Sequence, residues 1–184
     1  VGGAGSALGE AYRRRIADYG ASAPFLIDKT PANYLYIGLI ALSMPTARIV
    51  HVRRDPMDNG YALYKTLFRT GCPYAYSLSD LAEYIGAYRR LMEHWRRVLP
   101  GRLIEIDYEA IVVDQERQSR RLVDAVGLDW QDRCLEFHAN PAPAATASAA
   151  QVRRPIYSDS VQLWRRYETQ LEPLASALRR QGVP

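Results

Sequence analysis

One stretch constrains the fold more than any other: Ala47-Arg48-Ile49-Val50-His51-Val52-Arg53-Arg54-Asp55-Pro56-Met57-Asp58. The β-branched run from Ile49 to Val52 has the make-up of a short buried strand. It ends at two arginines and an acid. Pro56 then stands where a first helical residue belongs, because its missing N–H would have no partner there anyway. A strand therefore feeds a helix, with Arg53 and Arg54 at the junction. Free N–H groups and about half a positive charge at a helix N-terminus suit an anion. A guanidinium beside them adds a planar fork of donors matched to phosphate. The stretch reads as a phosphate site at the end of a parallel strand. The alternative is an ordinary strand-to-helix turn whose arginines are solvated or paired with Asp55 and Asp58.

Upstream, Phe25-Leu26-Ile27-Asp28 reads as an earlier strand, Lys29-Thr30-Pro31 as its exit, and Asn33 to Ser43 as an apolar helix. Strand, helix and strand with short links imply a parallel crossover, with ligand chemistry at the C-terminal strand ends. Lys29 sits at one such end and Arg54 at the next. Leu8 to Tyr19 has one apolar helical face, and Gly20 is its stop. The glycines of Val1 to Gly5 resemble a phosphate loop in composition alone, lacking a Gly-Lys-Ser/Thr ending.

Downstream, Pro56 to Phe68 reads as a helix. Arg69 to Ser77 reads as a tyrosine-bearing loop, either a lid or wall beside an acceptor or a plain connection. Ser77 or Ser79 caps a long helix in which Leu81, Tyr84, Ile85, Tyr88, Leu91, Met92, Trp95 and Val98 keep a helical period. Its arginines, Arg89, Arg90, Arg96 and Arg97, face away from that stripe. Leu103 to Ile106 is a further strand. Gln115 to Val126 is a helix closed by Gly127, and Trp130 to His138 a short one. Ala139 to Ala150 has the composition of a flexible loop, and a last helix runs from Val161 to about Arg180, with Pro173 inside it. No repeat or domain boundary is evident.

The 184 residues suffice for one domain with a real core. A net charge of +4 suits an anionic ligand but is too small and scattered for a nucleic-acid partner. Cys72 and Cys134 form no metal or redox motif. A disulfide between them stays open, a reduced compartment being the simpler reading. The three histidines, His51, His94 and His138, lack ligand spacing, so no metal is expected. No apolar run approaches the ~20 residues that span a bilayer, and no signal peptide is evident, so the expected location is cytoplasmic.

Four motifs carry a resemblance: Asp28-Lys29-Thr30-Pro31-Ala32-Asn33-Tyr34; Ile49 through Pro56; Tyr108-Glu109; and Thr146-Ala147-Ser148 through Gln151-Val152-Arg153-Arg154-Pro155-Ile156-Tyr157. In order and spacing they resemble the bacterial sulfotransferases related to tyrosylprotein sulfotransferases, whose catalytic domain often follows tetratricopeptide repeats. The resemblance covers the chain from about residue 24, leaving 1–23 as a peripheral N-terminal helix on a single partial domain.

The resemblance implies an α/β fold with a P-loop-NTPase-like parallel sheet flanked by helices, incomplete at its N-terminal side. The implied donor is 3′-phosphoadenosine-5′-phosphosulfate (PAPS), and the implied acceptor is a hydroxyl on a peptide, sugar or small molecule. Arg54 matches the family arginine that holds the 3′-phosphate, and Tyr108 matches a tyrosine at the nucleotide. Ser148, Gln151, Val152, Arg153, Arg154 and Ile156 match the loop that closes over the donor. Lys29 matches the lysine that stabilises charge near the transferred sulfuryl group. Sulfuryl transfer resembles phosphoryl transfer, in which positioning and cationic stabilisation supply most of the rate.

The departures are specific. An Arg-Ser-Gly-Thr-Thr/Ser loop for the 5′-phosphosulfate is missing, and with it the acceptor base that follows. Such a chain is expected to be inactive alone. A serine expected eight positions after Arg54 is Ala62, and a cation expected before Trp164 is Leu163. Two further readings therefore stand beside the sulfotransferase: a non-catalytic nucleotide-binding or scaffold relative with a degenerate donor site, and a kinase-like phosphotransferase.

Overall fold

The computed structural model describes residues 2–17, 25–68, 70–140 and 152–183. The chain divides into two compact units. The first comprises Val1–Ile49 and Arg90–Leu103, the second Val50–Arg89 and Ile104–Pro184. The expected loop residues Ser148 and Gln151, and the stop at Gly20, lie outside the described residues.

In the first unit, helix α1 (Gly2–Ala17) absorbs the N-terminal glycines, so they form no phosphate loop. A tight helical turn, Pro31–Tyr36, leads into α2 (Ile37–Ser43). Glycines set how closely these helices approach. A Cβ on Gly9 would stand 2.1 Å from the Ser43 carbonyl oxygen. A Cβ on Gly38 would stand 2.8 Å from the Trp95 ring, whose indole N–H donates to the Tyr34 carbonyl at 2.9 Å.

The expected strand over Phe25–Asp28 does not form. These residues carry no strand ladder, and Phe25, Leu26 and Ile27 are exposed. A strand exists only through a partner's backbone, and none pairs with this segment among the described residues. Local side chains hold it instead. The Asp28 carboxylate accepts from the Tyr12 and Thr30 hydroxyls, each at 2.7 Å.

The sheet is made of β1 (Ile49–Arg53) and β2 (Leu103–Asp107), and all of it but the first residue of each strand belongs to the second unit. Side-chain pairs His51–Glu105 and Arg53–Asp107 and the bond from the Asp55 amide to Glu109 all join residues 54 apart. A constant offset means the strands run parallel. Between them come α3 (Pro56–Tyr64) and α4 (Leu78–Val98), which supply the crossover expected from Phe25 to Val52 but one element later. The fold thus combines helices with a small parallel sheet, an α/β arrangement with two strands among the described residues.

Ser77 caps α4, its hydroxyl accepting from the Asp80 amide at 3.3 Å. The loop before it is pinned. Tyr74 stacks on Tyr84 with ring centroids 3.7 Å apart, and Tyr76 bonds both the amide and the carbonyl of Phe68. After β2 come α5 (Tyr108–Val113), which the sequence did not signal, and α6 (Gln115–Val126), closed by Gly127 in the left-handed region as expected. The last helix, α7 (Glu168–Arg180), starts later than Val161. A tight turn, Leu163–Tyr167, precedes it, and Gln162 at φ 56° breaks the run. The core packs Met57 of α3, Leu81 and Ile85 of α4, and Leu171, Leu174 and Leu178 of α7. The α4 arginines are exposed as expected, but Val98 also faces solvent rather than the apolar stripe.

Candidate functional site

The strand pleat sorts the two arginines of the junction. Successive side chains on a strand point to opposite faces. Arg53 turns to Asp107, bonding it through Nε at 2.8 Å and Nη2 at 2.9 Å, with Glu105 at 3.6 Å. The Asp107 bond, and after it the nearby acids, raise the Arg53 pKa despite partial desolvation. This is the paired-arginine alternative, and it holds for Arg53, although with β2 acids rather than Asp55 or Asp58.

Arg54, one residue past β1, meets different partners. It is half-buried, with its guanidinium carbon 5.2 Å from the centroid of the Tyr108 ring. The offset of 54 again applies, so the register that joins Arg53 to Asp107 also brings Arg54 beside Tyr108. Arg54 Nη2 donates to the Ser160 carbonyl at 2.8 Å. Arg54 Nε is buried without a hydrogen-bond partner. Tyr108 and Ser160 share a hydroxyl–hydroxyl bond of 2.8 Å. A buried donor left unpaired is costly and marks a place for an acceptor. Arginine, aromatic ring and hydroxyl thus gather at the strand ends with one buried donor unpaired.

The helix N-terminus itself is already occupied. Asp55 accepts from the Asp58 amide at 2.9 Å and caps α3, so the free amides expected there for an anion are partly taken by an acid. Glu109 accepts from the Asp55 amide at 2.9 Å and ties the start of α5 to the start of α3.

The remaining expected residues are spread out. Val152, Arg153 and Arg154 are exposed, and Ile156 is half-buried. Arg153 Nη1 donates to the Asn140 carbonyl at 2.6 Å, while Arg154 lies 4.7 Å from the centroid of the Tyr157 ring. Lys29 belongs to the first unit and is exposed there. Its flanks are fixed through Asp28, whose carboxyl is held below its ordinary range first by Thr30 and then by Tyr12. No group of three or more His, Cys, Asp or Glu among the described residues could hold a metal ion. No helix among them is long and apolar enough to cross a membrane.

Sequence reasoning missed Ser160 and offered Asp58 only as a partner for the arginines. Asp58 is 1% exposed and accepts from the amides of Gln162 at 2.6 Å and Trp164 at 3.2 Å. A polar Ser158-Asp159-Ser160 run between two apolar stretches was the available signal for Ser160. Asp58 gave none beyond its place in a first helical turn.

Fold and cluster together define an α/β protein whose polar side chains gather at the C-terminal ends of parallel strands. The chain belongs to the sulfotransferase family: that family's model matches residues 4–132. Among curated relatives, an uncharacterized protein of Aquifex aeolicus is 35% identical over 170 residues, covering 91% of this chain and 22% of that protein. The omega-hydroxy-beta-dihydromenaquinone-9 sulfotransferases of Mycobacterium bovis and Mycobacterium tuberculosis are each 32% identical over 111 residues, covering 56% of this chain and 29% of theirs. The chain thus spans less than a third of the length of the relatives it matches.

Proposed function

We propose that this chain carries the 3′-phosphate side of a PAPS-dependent sulfotransferase of the bacterial, tyrosylprotein-sulfotransferase-like kind, built on a P-loop-like sheet. The observation that carries the reading is the unpaired, buried Nε of Arg54 beside Tyr108 and Ser160. These residues fit a phosphate monoester next to a sugar or base. The guanidinium offers charge-assisted donors, the tyrosine a flat ring, and the serine a hydroxyl. In this reading Ser148, Gln151, Val152, Arg153, Arg154 and Ile156 cover the nucleotide, and Lys29 stabilises charge at the sulfuryl group. PAPS, when bound, supplies an activated sulfuryl group for transfer to an acceptor hydroxyl.

The acceptor class rests on the relatives' names alone. The mycobacterial proteins are named for a hydroxylated menaquinone derivative, so a small-molecule or lipid-borne hydroxyl is the first acceptor to test. The 184 residues contain no Arg-Ser-Gly-Thr-Thr/Ser loop, so the chain alone is proposed to bind without turnover.

A second reading is favoured by Ala62 and Leu163: a relative that keeps the fold while its donor site has degenerated. Calorimetric titration with adenosine 3′,5′-bisphosphate separates the two. Binding that Arg54→Ala abolishes supports a retained donor site, and absence of binding supports degeneration. Sulfation of any acceptor by the isolated chain would refute the proposed inactivity.

A further inference from the structure

The buried carboxylate of Asp58 has no evident role in an anion site, and a negative charge close to one is counterproductive unless it is spent elsewhere. Its oxygens are directed at two backbone amides, those of Gln162 and Trp164, more than 100 residues away in sequence. Between these amides and Arg54 lies an unusual turn. Gln162 is the one non-glycine residue at positive φ among the described residues, with φ 56°. A side chain in that region is strained, and such strain persists only where surrounding bonds over-determine it. Asp58 provides those bonds. The strained reversal places Ser160, two residues earlier, with its carbonyl on Arg54 and its hydroxyl on Tyr108.

A serine hydroxyl has one hydrogen and two acceptor sites. If Tyr108 donates in the shared bond, the Ser160 hydrogen is left for another acceptor. That hydrogen and the unpaired Arg54 Nε are then two donors on residues joined by the bond from Arg54 Nη2 to the Ser160 carbonyl. Position 62, where the family resemblance expects a serine, is an alanine and cannot supply a hydroxyl.

From this juxtaposition we propose that Ser160 is a ligand-facing hydroxyl of the anion site and that Asp58 is its positioning residue. The proposal rests on the reading that Arg54 meets a 3′-phosphate, and it adds the second donor and the device that holds it. Asp58 touches no ligand. It acts by clamping the 160–164 turn against the first turn of α3.

The test is titration of the chain with adenosine 3′,5′-bisphosphate and, separately, adenosine 5′-monophosphate. Ser160→Ala is expected to weaken the bisphosphate roughly 10-fold, as for loss of one bond to a charged group, and to leave the monophosphate unchanged. Equal weakening of both nucleotides, or of neither, overturns the ligand role. Asp58→Asn is expected to weaken the bisphosphate as well, and Gln162→Gly, which relieves the positive φ, is expected to restore part of that loss in the double variant. No recovery overturns positioning through the turn.

Amide exchange gives a readout that needs no nucleotide. The Gln162 and Trp164 amides should exchange slowly in the wild type and fast in Asp58→Asn. Unchanged exchange removes Asp58 from the role whether or not the nucleotide binds. If the wild type binds neither nucleotide, the donor-site reading falls, and the ligand role of Ser160 falls with it.

Discussion

The guanidinium of Arg54 lies over the ring of Tyr108, its carbon 5.2 Å from the ring centroid, although the two residues are carried by different strands' ends. Their pairing follows from strand register. His51 meets Glu105, Arg53 meets Asp107, and Arg54 meets Tyr108, all at one offset. The ladder pins Arg53 among acids and leaves Arg54, just beyond it, to Tyr108 and Ser160. A slip of one residue would exchange the two arginines, putting the acid-paired one at the site.

Arg54→Lys should fail to replace the arginine. Lysine has no planar fork and presents a compact, strongly hydrated charge. Losing a charge-assisted bond of about 1.5–3 kcal/mol predicts a drop of about 10-fold or more in affinity for adenosine 3′,5′-bisphosphate. Calorimetry reads the affinity, and unaltered circular dichroism confirms the fold. Wild-type affinity in the lysine variant would show that the guanidinium geometry is irrelevant.

Arg53→Ala should behave oppositely. Its partners are Asp107, exposed like Arg53 itself, and the half-buried Glu105 at the longer distance of 3.6 Å. Exposed ion pairs contribute about 0–1 kcal/mol. A small fall in the denaturation midpoint is expected, with nucleotide affinity kept within about two-fold. An affinity loss as large as that of Arg54→Lys would mean that the two arginines act together, contrary to the pleat argument.

Much of this arrangement was legible in the chain because it is local. Pro56 marks the start of α3, Gly127 the end of α6, and Ser77 the cap of α4, and each device acts within a turn of where it stands. Apart from the unsignalled α5 and the early start of α1, the failures are non-local. Phe25–Asp28 has the composition of a strand, but only a neighbouring backbone can make it one. The late start of α7 is set at Gln162 by Asp58, 104 residues earlier. Arg54 could be singled out from its place at a strand end. Tyr108 could be singled out only through the family resemblance, because register is a property of two segments.

Asp28 and Tyr12 should give the first unit a pH signature at both extremes. Burial, and then the Asp28 carboxylate, push the Tyr12 phenol from 10.0 up to about 12. A raised folded pKa contributes stability that is fully present below pH 10 and is lost as pH climbs through about 12. The Asp28 carboxyl is lowered from 3.8, so its contribution is present above that value and lost as pH falls through the folded pKa. Tyrosinate absorbance, taken as the difference between wild type and Tyr12→Phe, should titrate near pH 12. A difference centred near 10 would mean that Tyr12 is neither shielded nor bonded to Asp28 in solution.

Gly9→Ala should uncouple α1 from α2. The added methyl would fall 2.1 Å from the Ser43 carbonyl oxygen and 3.1 Å from its carbon. Those are backbone atoms, so no rotamer change can make room, unlike the side-chain contact that a methyl at Gly60 would meet on Leu174. Alanine favours the helical state of α1 by roughly 1 kcal/mol over glycine, so a loss of stability cannot come from helix propensity. The clash must instead be relieved by separating the helices, at a cost of about 1–3 kcal/mol by analogy with overpacked cores. Limited proteolysis should then cut α1 sooner in the variant than in the wild type. Equal protection would mean that α1 does not rest on α2 in solution.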